Sequence, residues 1–141
     1  VKKNLSIFEK ELKISGTMLY WAEGYKTEKS SGIDFANSNI GMIRVFLNFL
    51  RIICGIDEKK LRIFLYCYSN QDVKKLVDFW SKLTRIPKSQ FSKPYIREDF
   101  RVEKIDKMKY GLIHIRYADK KLLLLIKNWI QEYEDRYAPV G

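Results

Sequence analysis

The chain has 141 residues, 46% of them hydrophobic and 14% aromatic, and its 27 Lys and Arg outnumber 17 Asp and Glu for a formal charge of +10 at pH 7. That apolar content excludes a disordered chain, and at this length one core buries roughly two-thirds of the unfolded surface, so a single domain needs no metal or disulfide staple. The longest aliphatic run, residues 122–126, falls far short of the roughly 20 residues of a membrane span, and no secretory leader is read, so the expected setting is cytoplasmic with no membrane partner.

The chain opens on Val1, so a further segment is expected upstream. Residues 6–24 read as a helix, with Phe8, Leu12, Leu19 and Ala22 at helical intervals, Gly16 inside it and Gly24 as its stop. In residues 25–37, Ser30-Ser31-Gly32 separates two short extended pieces, the second being Ile33-Asp34-Phe35, which predicts a β-hairpin. Asn37-Ser38-Asn39 offers N-cap oxygens to a helix whose apolar stripe is Ile43, Phe46, Leu47 and Leu50, and Gly55 ends it.

Residues 61–68 alternate as a strand does, with Leu61, Ile63, Leu65 and Cys67 on one face and Arg62, Phe64, Tyr66 and Tyr68 on the other. Ser69 and Asp72 then start a helix carrying Val73, Leu76, Val77 and Trp80, which must stop before Pro87; residues 87–94 read as loop. Residues 100–102 and 110–117 pair as a hairpin across residues 104–109, the second strand placing Ile113, Ile115 and Tyr117 on one face and Leu112, His114 and Arg116 on the other. Asp119 caps a last helix with Leu122, Leu125, Ile126, Trp129 and Tyr133 on its buried side. Helices interspersed with hairpins predict an α+β fold, a mixed or antiparallel sheet packed on helices, in one domain spanning residues 1–141. Ile33, Phe35, Ile43, Phe46, Leu47, Leu50, Ile63, Leu65, Trp80, Ile113, Leu125 and Trp129 are the expected core.

Residues 82–127 hold thirteen basic and five acidic residues and so carry +8 of the +10. Such a bias reads either as a solvated basic surface or as a face that binds polyanions by displacing their counterions. Phosphate-loop, dinucleotide, hydrolase-elbow and zinc motifs are all missing, no small-molecule cofactor is implied, and His114 is the single histidine. Cys54 and Cys67 have no metal-ligand spacing around them and read as buried thiols.

The stretch from Gly16 to Gly24 puts Glu23 at the C-terminal end of a largely apolar helix, where orphan carbonyls and the helix dipole favour a cation. That position suits a divalent metal ion, or equally an ordinary core helix that ends in an exposed Glu before a glycine. Gly16, Tyr20, Glu23 and Gly24 share one helical face.

Leu19-Tyr20-Trp21-Ala22-Glu23-Gly24, followed by a Gly/Ser turn, an amphipathic helix and a strand and helix ending in Trp80, resembles the single-motif branch of the LAGLIDADG homing-endonuclease-like superfamily. The sequence departs from that pattern at Met18, where the family has a packing glycine, and at Trp21, where a second acid is common; the helix after residues 61–68 is an addition to the αββαββα plan. The resemblance implies a homodimer on double-stranded DNA, meeting along Gly16, Leu19, Tyr20 and Glu23. It also implies Mg²⁺ held by Glu23 between the small neighbours Ala22 and Gly24, and two chains are required if both strands are cut. Alternation nominates Arg62, Tyr66, Tyr68, His114 and Arg116 for DNA contact, with Arg97, Arg101 and Lys104 added if the fourth strand pairs in this way; Lys107 or Lys109 is the candidate water-activating lysine. Three function classes stay open at this point: a metal-dependent DNA endonuclease, a non-catalytic DNA-binding or regulatory module, and a protein-interaction domain.

Overall fold

A computed structural model describes residues 1–98 and 108–141. Helix α1 (Ile7–Glu23) starts at a capping box, in which Ser6 Oγ accepts from the Glu9 amide at 3.1 Å and Glu9 Oε1 accepts from the Ser6 amide at 2.9 Å. Strand β1 (Ile33–Asn37) leads into α2 (Ile40–Asn48), capped by Asn39, and α2 runs on as a π-helical turn over Phe49–Cys54. Gly55 stops it at φ 62°, a left-handed conformation that only glycine adopts without strain. Strand β2 (Arg62–Tyr68), helix α3 (Val73–Thr84), strand β3 (Tyr95–Arg97), strand β4 (Leu112–Tyr117) and helix α4 (Lys120–Tyr137) complete the described chain. Among the described residues no helix is long and apolar enough to cross a membrane.

The fold is α+β, with the four strands in the order β1-β4-β2-β3. Strand β4 lies antiparallel to β1 and β2, and β3 runs parallel to β2. Ile33, Phe35, Ile63, Leu65, Cys67, Ile113 and Ile115 point to one face and pack in a single core with Tyr20, Ile43, Phe46, Phe49, Leu50, Trp80, Ile126 and Trp129 from the helices. A chain of rings crosses that core: Phe35 stacks on Phe46 at 4.2 Å, Phe46 reaches Tyr20 and Phe49 at 5.7 Å each, and Phe49 meets Trp129 edge-on at 6.0 Å. Gly16 is what lets α1 approach this layer, because a Cβ there would overlap the Phe49 ring. Cys54 and Cys67 are buried free thiols, and burial pushes Cys54 up to about 12 and Cys67 upward, away from the thiolate form.

Four expectations change in this architecture. The first strand of the early hairpin shrinks to one antiparallel bridge, Gly24 to Phe35, with the Tyr25 amide donating to Asp34 O at 2.9 Å. The expected partner of residues 110–117 changes: both edges of β4 are taken by β1 and β2, β3 pairs on the far side of β2, and residues 100–102 lie outside the described residues. Tyr68 is buried, at 3% exposure, at the end of β2 where β3 pairs alongside it. Leu125 is only partly buried, since α4 turns Leu122, Leu123, Ile126, Trp129, Ile130 and Tyr133 inward instead.

Candidate nucleic-acid interface

Among the described residues no helix covers the sheet's second face, and its side chains line up in cross-strand rows. Asp34, Arg116 and Arg62 share the first row; Ala36, His114 and Phe64 the second; Leu112, Tyr66 and Tyr95 the third. All of these are half-buried or exposed, whereas the intervening residues of β2 and β4 are buried.

Asp34 organises the first two rows. Its Oδ1 lies 2.7 Å from His114 Nδ1, and its Oδ2 accepts from Arg116 Nε at 3.4 Å. A carboxylate only accepts, so Nδ1 carries a proton in this contact. The Arg116 guanidinium sits 4.9 Å from the centre of the Phe64 ring, and His114 meets the same ring edge-on at 5.7 Å, so Phe64 is the apolar floor beneath two nitrogen-bearing groups. Arg62 donates through Nη1 to the carbonyls of Lys59 and Leu61. In the third row Tyr66 stacks on Tyr95 at 4.9 Å, and Arg97 Nη1 donates to Tyr66 Oη at 3.3 Å.

Glu23 is exposed at the rim of this face and lines one shallow depression together with Gly24, Tyr25, Asp34, Ala36 and His114. The carbonyls at the foot of α1 are already served by the chain itself. Lys26 Nζ donates to Gly24 O at 2.6 Å and to Tyr20 O at 3.4 Å, and Lys127 Nζ donates to Lys26 O at 3.2 Å. Burial lowers the Lys26 ammonium from its usual range, against the opposing pull of Glu23. A cation from the protein thus stands where the helix end favours one. Among the described residues no three His, Cys, Asp or Glu side chains converge, and Asp34 is engaged by His114 and Arg116, which leaves Glu23 as the other carboxylate on this depression.

The expected interface residues of α1 divide. Gly16 and Tyr20 face inward: Gly16 lies against Phe49, and Tyr20, fully buried, accepts from the Asp34 amide at 3.2 Å and donates to Tyr25 O at 2.6 Å. Burial pushes that phenol up to about 12, so it keeps its proton. Neither residue is open to a second chain, while Leu19, Ala22 and Glu23 keep solvent exposure. Lys109 lies before β4 on the β2 side, where Gln71 Nε2 donates to its carbonyl, across the sheet from Glu23 beside β1; the two are not brought together. Arg101, Lys104 and Lys107 lie outside the described residues.

Sequence reasoning assigned no role to Asp34 or Tyr95. Asp34 stood between Ile33 and Phe35, an alternation that already turned it outward, and Tyr95-Ile96-Arg97 is a short aromatic and β-branched run just after a proline. No family model, curated protein or solved structure matches the chain.

Proposed function

We propose that this chain is a DNA-binding domain that lays the open face of its sheet on double-stranded DNA. The observation that carries this reading is the makeup of the sheet face that no described helix covers: Arg62, His114, Arg116 and Arg97 stand there among Phe64, Tyr66 and Tyr95, with Asp34 beside His114 and Arg116. Guanidinium groups bind phosphate oxygens and release counterions, while the rings and His114 supply contacts to sugars and base edges. The LAGLIDADG-like motif in α1 supports the same use of a sheet. Two-fold assembly belongs to the reading as well, with the contact shifted from Gly16 and Tyr20 to the surface that α1 leaves open, Met18 and Leu19 beside Met42 and Val45 of α2.

Binding without cleavage is the favoured version, because Lys26 already sets an ammonium on the Tyr20 and Gly24 carbonyls at the end of α1, where the helix dipole favours a cation. Duplex binding is expected to weaken steeply with salt, and Arg116→Ala to weaken it while flattening the log–log slope by about 0.9 for each phosphate that the variant no longer neutralises. Arg136→Ala, on the far end of α4, should change neither. Binding that ignores salt, or none at low salt, overturns the reading in favour of a protein-interaction domain. Duplex should stay intact in Mg²⁺; cleavage that Glu23→Gln abolishes would establish the endonuclease instead.

A further inference from the structure

A second cationic feature lies on the helical side of the molecule, away from the open sheet face. Arg44 and Asn48 of α2, Arg51 of the π-helical turn, Glu58, Leu83 and Arg85 line a cavity of about 450 Å³. Spacings of four and three along the chain place Arg44, Asn48 and Arg51 on one side of that helical stretch.

Two irregularities of the backbone converge here. Arg51 lies within the π-helical turn Phe49–Cys54, a rare widened geometry that occurs frequently at functional sites. Arg85 ends α3 in the left-handed region, at φ 59°, where glycine or asparagine is the ordinary choice. Its conformation is locked from both sides: the Ile86 amide donates to Thr84 Oγ1 at 3.2 Å, and Ser81 Oγ donates to Ile86 O at 2.7 Å. Non-glycine residues held in this region concentrate at active sites and ligand clamps.

The charges are unevenly satisfied. Arg51 forms a two-point pair with Glu58, Nε to Oε2 at 2.8 Å and Nη2 to Oε1 at 2.9 Å, and Nη2 also donates to Thr84 O at 2.7 Å. That pair neutralises the cavity's one acid and fixes one wall. Arg44 and Arg85, both exposed, have no hydrogen-bond or ion-pair partner among the described residues. Two guanidinium groups without a protein partner and an amide on the lining of one concave space are a donor set for an anion with several oxygens. The cavity is larger than a single phosphate requires and falls in the size range of small-ligand sites.

We propose that this cavity is a binding site for a diphosphate-bearing anion, held between Arg44 and Arg85 with Asn48 as a third donor, and independent of DNA binding by the sheet. Titration calorimetry of the full chain with inorganic pyrophosphate tests it, with sulfate at matched ionic strength as the control and a nucleoside diphosphate in a second arm. Pyrophosphate should bind more tightly than sulfate. Equal affinity for the nucleoside diphosphate means that the diphosphate alone is read, and tighter binding means that the nucleoside is seated too. Arg44→Ala and Arg85→Gly should each weaken pyrophosphate by about tenfold or more, the loss typical of a charged hydrogen bond, whereas Lys10→Ala, one charge fewer on exposed α1, should leave it unchanged. Arg85→Gly also suits the left-handed backbone, so its thermal midpoint should be equal or higher, which separates a binding defect from a folding defect. Unchanged affinity in both arginine variants, or sulfate binding as tightly as pyrophosphate, overturns the proposal. So does competition between pyrophosphate and duplex DNA, which would make the cavity part of the DNA path.

Discussion

The two faces of β2 and β4 are built from the same strands and differ in almost everything else. Inward, Ile63, Leu65, Ile113 and Ile115 are fully buried under the ring layer of Phe35, Phe46 and Phe49. Outward, Arg62, Phe64, Tyr66, His114 and Arg116 form a polar sheet surface in which one carboxylate, Asp34, holds two nitrogen groups in place. A sheet needs only one buried face to be stable. The other is free to be chosen for chemistry, so substitutions on the two faces should separate stability from binding.

The largest effect is expected inside. Phe46→Ala should cost about 3–5 kcal/mol in urea unfolding, because a fully buried ring is replaced by a cavity. Next comes Gly16→Ala, which forces a methyl into the Phe49 ring and should cost about 1–3 kcal/mol; no loss of stability would mean that α1 is not packed against the π-helical turn. Arg116→Ala on the bare face removes one half-exposed ion pair and should change stability by less than about 1 kcal/mol while weakening DNA binding. Were it as destabilising as Phe46→Ala, the outer face would be structural and the division between the faces would fail.

The smallest effect belongs to the start of α1. Ion pairing with Lys2 and the capping-box bonds to Ser6 hold Glu9 at about 2, below its ordinary 4.5. A depressed carboxyl stabilises the folded state above its ordinary value and loses that contribution as pH falls from about 4.5 through about 2. Comparing Glu9→Gln with the parent chain over this range should show a gap present at pH 6 and closing toward pH 2.

Much of this division was legible in the sequence. Alternation in residues 61–68 and 112–117 sorted inner from outer side chains, and the caps at Asn39 and Asp119 marked two helix starts, whereas α3 is capped by Asp72 and not by Ser69, the expected start of its capping box. What stayed hidden depends on contacts without a local signature. Strand β3 has three residues and pairs parallel to β2, so neither periodicity nor a turn announces it. Gly16 and Tyr20 carry the spacing of a helix–helix seam, and only the fold shows that the seam is internal, against Phe49 and Phe46. Asp34 and His114 are 80 positions apart and meet only because β1 pairs with β4. Arg44, Arg51 and Arg85 come from three elements and look like scattered surface charge until the π-helical turn and the left-handed end of α3 are seen to bring them to one cavity.

The central claim is that the bare sheet face meets DNA. Backbone amide chemical-shift mapping during titration with a short duplex at low salt tests it most directly. Shifts are expected along β2 and β4 at Arg62, Phe64, Tyr66, His114 and Arg116 and at the rim around Asp34, with Lys10 and Arg44 on the helical side unmoved. Shifts confined to the helices, with β2 and β4 silent, would contradict it.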